Sequence, residues 1–258
     1  MNLDLPIDLA KEYKSKSQIA RVVTEAWVIS NITCPNCGSS LRKYPANEKS
    51  KDVFCPSCGN DFQIKSSKNK FSKRITGAEY NTTLHSVKIG ENPSFMLLHY
   101  DENSMRVVDF MLIHNSFITS EIIIPRKPLS KKARRAGWQG CLIEIDKIPS
   151  IAKIFVIKDG IVYNWNNIVN KWKISSNVRQ FSVQNRGWVS IILSFIDRLP
   201  DTFTLSQLYN FENELKTLYP KNHNIRAKIR QQLQIIRDLG LIKFVERGKY
   251  QKIRIRYS

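Results

Sequence analysis

The opening segment, DLPIDLAKEYKSKSQIARVVTEAWVISN, carries Ala10, Tyr13, Ile19, Val22, Val23 and Trp27 at helical spacing. That spacing predicts helices, with Ser17 as the cap of the second. From Ser94 to Ile157 the chain changes to short apolar and β-branched runs: SFMLLHY, RVVDFMLI, FITSEIII, CLIEID and AKIFVI. Turn formers such as Asp101-Glu102-Asn103 and Lys158-Asp159-Gly160 separate them, and the whole region reads as a sheet. A helix over Asn81 to Lys88 would cross that sheet, giving an α/β layer arrangement with the opening helices on one face. After Asn177 the pattern is helical again. RGWVSIILSFIDRL reads as a compact amphipathic helix, Thr204-Leu205-Ser206-Gln207 has capping-box spacing, and NIRAKIRQQLQIIRDLG is a third helix stopped by Gly240. LIKFVERGKYQKIRIRY then alternates around a glycine-centred turn, as a β-hairpin does. Three helices and a basic hairpin are the layout of a winged helix-turn-helix, so the expected division is a domain over 1–180 and a second over 181–258.

Charge narrows the class of partner. Lys and Arg number 41 against 22 Asp and Glu, a formal net charge of +19 over 258 residues. A surface so basic repels itself unless a polyanion neutralises it. The basic residues are spread over folded-looking segments and not gathered on one amphipathic helix, which favours nucleic acid over an anionic membrane. No apolar run is long enough to span a bilayer, and the start has no signal-peptide pattern, so a cytoplasmic protein is expected. Five cysteines, four of them in pairs, also fit a reduced compartment better than a disulfide scaffold.

Those pairs are Cys34-Pro35-Asn36-Cys37 and Cys55-Pro56-Ser57-Cys58, separated by a seventeen-residue loop and each followed by a glycine, Gly38 and Gly59. Two CxxC turns at this spacing suit a tetrahedral four-thiolate Zn²⁺ site. Such a site is closed to substrate, so Cys34, Cys37, Cys55 and Cys58 are expected to be structural ligands, and Cys141 an ordinary core residue. A second pattern overlaps the first. Asp52 lies just before the second pair, and Gln63-Ile64-Lys65 lies just after it. Strand alternation would put Gln63 and Lys65 on one face, shared with Asp61, and Ile64 on the other. Asp52, Gln63 and the Ile64 carbonyl could hold Mg²⁺, and Lys65 could hold the attacking water and the scissile phosphate, as in a divalent-metal nuclease. An ordinary hairpin with solvated polar residues would leave the same short pattern.

Longer stretches carry a resemblance: KEYKSKSQIARVVTEAWV, CPNCG, Lys65-Ser66, RKPLSKKARRAGWQGC, RGWVSIILSFID, FTLSQLYNFENELK and KIRQQLQIIRDLGLIKFVERGKYQK. Over nearly its whole length the chain resembles the DpnI-type modification-dependent restriction endonucleases. The resemblance implies a PD-(D/E)xK restriction-endonuclease-like mixed sheet flanked by helices, with a four-cysteine zinc site and a C-terminal winged helix-turn-helix domain. It implies Mg²⁺-dependent hydrolysis of double-stranded DNA at GATC with N6-methylated adenine, leaving blunt ends, with both domains reading the methylated sequence; a monomer is expected. Asp52, Gln63 and Lys65 are then the catalytic residues. Two departures stand out. Lys51 occupies the place of the motif's proline, and Gln63 replaces its acidic residue, which removes one negative charge and should weaken Mg²⁺ binding. Asp61 is one alternative source of that charge. A non-catalytic zinc-ribbon and winged-helix regulator is the alternative function.

For DNA reading, Asn224, Arg226, Lys228, Arg230 and Gln231 lie on or near the start of the third helix of the winged domain, the part that meets base edges. N6-methylation removes an adenine donor and adds an apolar group. Trp138, within the basic run from Lys131, is the candidate for contact with that group. Arg134, Arg135, Arg247 and Lys249 are candidates for phosphate contacts, whereas Trp188 is expected in the core.

Overall fold

The computed structural model describes residues 1–45 and 50–253. Helix α1 (Lys16–Asn31) follows a short 3-10 turn at Ile7–Ala10, and its N-cap position is Ser15, two residues before the expected Ser17. Strands β1 (Arg42–Lys43), β2 (Val53–Phe54), β3 (Asp61–Ser67) and β4 (Arg74–Glu79) come next, then α2 (Tyr80–Ile89), β5 (Ser94–Asp101) and β6 (Arg106–Ile113). The first part continues with β7 (Ile123–Pro125), β8 (Gly140–Glu144), β9 (Ile154–Lys158), β10 (Ile161–Val162) and α3 (Trp165–Asn177). The C-terminal part comprises α4 (Val183–Asp197), β11 (Thr202–Thr204), α5 (Leu205–Tyr209), α6 (Glu212–Leu218), α7 (Ile225–Asp238), β12 (Ile242–Glu246) and β13 (Lys249–Lys252).

The central sheet runs β1-β2-β3-β5-β6-β9-β10 and is mixed: β3 and β5 are parallel, and the other neighbours are antiparallel. A parallel pair needs a crossover, and β4 with α2 supplies it. Side-chain alternation then divides the core. Phe62, Met96, Leu98 and Leu112 pack on one face with Trp27 and Val28 of α1 and Ile168 and Trp172 of α3. Phe95, Leu97, Met111 and Ile113 pack on the other with Val87 of α2 and Trp188 and Ile192 of α4. Because both faces are covered, β5 and β6 carry near-continuous apolar runs, Phe95 to Leu98 and Phe110 to Ile113.

The runs between Ser94 and Ile157 do not form one sheet. β7 and β8 pair with β4 in a separate three-stranded sheet, ordered β4-β8-β7, and half of FITSEIII is 3-10 turn. That helix α4 is amphipathic is also corrected: Gly187 to Leu193 are buried without a break, because the helix is enclosed between the sheet side and α7. The apolar core is accordingly continuous from β5 through α4 to Ile229 and Leu233 of α7 and Ile242 of β12.

At the C-terminus the Thr204 and Gln207 side chains form the expected reciprocal capping box of α5. Strands β12 and β13 form the hairpin, with β11 added on the outer side of β13. The last residues of the alternating stretch, 254–258, lie outside the described residues. Among the described residues no helix is long and apolar enough to cross a membrane.

Cys141 is fully buried, and Gly77 on the neighbouring β4 faces it so closely that an added Cβ would lie 2.3 Å from its Sγ. Gly77→Ala should cost about 1–3 kcal/mol of stability, the usual range for overpacking. Urea denaturation measures this loss, and adding Cys141→Ala should restore most of it. A wild-type midpoint for the single variant would contradict the packing.

Candidate active site

The two cysteine pairs fold into matching knuckles. Gly38 N–H donates to the Cys34 carbonyl and Gly59 N–H to the Cys55 carbonyl, at 2.8 and 3.0 Å. Both glycines hold positive φ, 76° and 69°, where a side chain would be strained. The four sulfurs lie within 4.8 Å of one another, the one such group of three or more Cys, His, Asp or Glu ligand atoms among the described residues. Four convergent thiols are a donor set that could hold zinc. Burial raises the thiol pKa of Cys34 and Cys55, and hydrogen bonds from Ser39 bring Cys37 down to about 6. A bound cation would draw the buried thiols into the thiolate form.

The second knuckle is also the turn of a hairpin. β2 enters it and β3 leaves it, with Val53 opposite Phe62 and Phe54 opposite Asp61. Asp52 extends this pairing by one residue, since its N–H donates to the Phe62 carbonyl at 2.9 Å and its carbonyl accepts from Tyr44 N–H at 3.0 Å. Where the backbone pairing ends, the side chain continues it: Asp52 Oδ2 accepts from Ile64 N–H at 2.7 Å. The carboxylate is thus fixed beside the strand that carries Gln63 and Lys65, and Oδ1 stays outside that bond.

Burial pushes the Asp52 carboxyl above the ordinary aspartate range. The Ile64 N–H opposes the shift, the charge of Glu25 adds to it, and Lys65 and Arg21 oppose it. Burial also lowers Lys65 below the ordinary lysine value, against the pull of Asp52. Each group thus acts on the other's proton affinity, though burial acts more strongly on both. Gln63 lines a small cavity of about 100 Å³ together with Thr82, Ser86, Asn92 and Phe95. Asp61 is committed elsewhere, because Tyr44 OH donates to one oxygen at 2.7 Å and Lys51 Nζ to the other at 2.5 Å.

Glu25 is the residue that sequence reasoning missed. It sits on α1, only 4% exposed, ion-paired with Lys43 at 2.5 Å and lying 3.8 Å from Arg21. The signal was present: a carboxylate among Val23, Thr24, Trp27 and Val28, all buried, is costly unless it is paired.

The remaining sequence-selected residues fall on two surfaces. Arg134 and Arg135 are exposed, and the Arg135 guanidinium lies 4.9 Å from the ring centre of the half-buried Trp138. Helix α7 buries Ile225, Ile229, Leu233 and Ile236. It exposes Arg226, Arg230 and Gln231, and Asn224 is exposed just before it. Arg226 pairs with Glu212 at 2.7 Å, and Arg230 donates to Tyr209 OH at 2.8 Å. Lys228 is half-buried and bonded to Asn185 of α4 and to Gln231. Lys249 pairs with Glu246 across the wing turn at 2.9 Å. Trp188, as expected, is buried, stacked on Tyr219 at 3.8 Å.

Comparison with known families gives two adjoining matches. The Dam-replacing family matches residues 1–181, and the Dam-replacing HTH domain matches residues 184–252.

If the thiols hold zinc as a brace, elemental analysis should find a single zinc per chain. Cys55→Ala should lose it, with a large fall in the thermal midpoint. An unchanged midpoint after chelation of the wild type would contradict the brace.

Proposed function

The chain belongs to the Dam-replacing family, as a DpnI-type restriction endonuclease with a C-terminal helix-turn-helix domain, and from that premise we propose that it hydrolyses double-stranded DNA at GATC with N6-methylated adenine. In this reading it works as a cytoplasmic monomer, uses Mg²⁺, and leaves blunt ends. The observation that carries the proposal is the bond from Ile64 N–H to Asp52, which ties a carboxylate with one oxygen outside that bond to the strand bearing Lys65.

Asp52, Gln63 and the Ile64 carbonyl offer the hard oxygen donors that Mg²⁺ takes, and Glu25 brings a second carboxylate toward them. When bound there, the ion would polarise a phosphoryl oxygen and lower the pKa of its water. The protein's own residues do the rest. Lys65, held in a half-buried position, neutralises charge on the scissile phosphate and orients the attacking water. The Ile64 N–H keeps the Asp52 carboxylate turned toward that phosphate. Water adds to phosphorus as a phosphodiester P–O bond breaks; the water gives up its proton to solvent, and the leaving oxygen takes one up from solvent.

In the reading of the site, Arg226, Arg230, Asn224 and Gln231 offer donors and acceptors suited to guanine and adenine edges. Lys228 adds a cation next to them. Trp138 offers an apolar surface to the methyl group, and Arg134, Arg135 and Lys249 suit phosphates. One observation favours the alternative, a non-catalytic DNA-binding regulator: Gln63 has no charge to give the ion.

Plasmid digestion separates the two readings. With Mg²⁺, plasmid carrying methylated GATC should be cut to blunt fragments, unmethylated plasmid should stay intact, and Asp52→Ala should cut neither. Intact methylated plasmid across a range of metal concentrations would remove the enzyme reading. The metal dependence tests the donors one at a time. Gln63→Glu should shift half-maximal cleavage to lower Mg²⁺ and Glu25→Gln to higher Mg²⁺, and an unchanged titration would take that residue out of the ligand set.

A further inference from the structure

β3 continues past the catalytic residues through Ser66 and Ser67, and β4 starts at Arg74. The loop between them and the two strand ends enclose a polar cleft of about 430 Å³, lined by Lys65, Ser66, Ser67, Lys70, Ser72 and Arg74 among others. That is roughly fourteen times the volume of a liquid water molecule, and enough for a sugar-phosphate unit. Lys65 belongs to this cleft and to the catalytic centre, so whatever fills the cleft adjoins the scissile phosphate. Phe71 packs against the core and anchors the loop.

The two further cations differ in how they are held. Lys70 pairs with Asp159 at 3.0 Å, and both side chains are largely exposed. Such a pair is weak and easily exchanged for another anion. Arg74 donates from Nε and Nη2 to one oxygen of the buried Glu144, at 3.2 and 2.8 Å. Of the five N–H donors of a guanidinium, this leaves three on a group whose orientation is already fixed. Ser66, Ser67 and Ser72 also line the cleft and add neutral polar groups to its wall. One fixed cation and one exchangeable cation in a polar cleft are suited to a phosphodiester.

We propose that this cleft is a second phosphate subsite, in which Lys70 and Arg74 hold the backbone phosphate neighbouring the scissile one on the same strand. The inference rests on the nuclease reading above. It adds residues that position the strand without reading its sequence, and it gives Asp159 a role as the anion that Lys70 gives up when DNA enters.

A set of duplexes tests it, each containing methylated GATC and one neutral methylphosphonate at a successive position around the cut. Fluorescence anisotropy with Ca²⁺ in place of Mg²⁺ reads affinity. Wild-type protein should bind several-fold more weakly when one phosphate beside the scissile position is neutral. Lys70→Ala should lose affinity for the unmodified duplex, reduce the salt slope by about 0.9, and show no further loss at that position. Asp159→Asn should bind several-fold more tightly. Thermal midpoints should stay unchanged, because both residues are exposed. Identical position profiles for Lys70→Ala and wild type would overturn the subsite, as would weaker binding by Asp159→Asn. Equal binding to methylated and unmethylated duplexes would count against the specificity reading alone, since the position profiles still decide the subsite.

Discussion

The structure of the site depends on the register of β2 against β3. A strand shifted by one residue turns every side chain to the opposite face, and here such a slip would turn Lys65 toward the core of Trp27 and Phe62 and put Ile64 in its place. Register in a hairpin is fixed by its turn, and this turn is the Cys55–Cys58 knuckle. Cys55 is fully buried in the same core as Trp27, Val53 and Phe62, so the knuckle is anchored from inside by packing and from outside by the thiol cluster. A closed four-sulfur site has no open position for substrate. In the proposed enzyme its part would be to fix where the hairpin begins.

From that fixed point the electrostatics follow. Asp52 and Lys65 are both withdrawn from water, which disfavours the charged form of each; the Ile64 N–H and then Lys65 oppose this at Asp52, and Asp52 opposes it at Lys65. Glu25 adds negative charge from the helix side, with Lys43 and Arg21 as counterions. In the proposed centre the charge that Gln63 lacks would come from Glu25, on a different element, and not from Asp61, whose two oxygens are held by Tyr44 and Lys51. The cations that neutralise carboxylates at and beside the centre would meet the DNA backbone when substrate arrives.

Much of this was legible in the sequence because it depends on local pattern. The knuckles follow from CPxCG spacing, β5 and β6 from short runs dense in apolar residues, α5 from its capping box, and α7 from isoleucines and leucine at helical period. What was not legible depends on contacts between distant segments. Helix α3 was missed because WNNIVNKWKISSN is rich in Asn and Ser, residues that compete with the helix backbone; Ile168 and Trp172 are its buried apolar anchors. The second sheet was missed because Ile75 meets Ile143 across a long stretch of chain. Glu25 and the capture of Asp61 likewise exist only in three dimensions. The burial of α4 on both sides had a visible sign, the mixed apolar run WVSIILSF, but periodicity alone does not separate a one-sided helix from an enclosed one.

The central claim is that a single hairpin, fixed at one end by the thiol cluster, presents Asp52 and the Ile64 carbonyl to a divalent ion. Anomalous scattering from crystals of the chain with an uncut methylated duplex and Mn²⁺ tests this most directly. The account predicts a manganese peak within bonding distance of Asp52 Oδ1 and the Ile64 carbonyl, with Lys65 on the adjoining phosphate. A peak at Asp61, or none beside Asp52 while the duplex is bound, would contradict it.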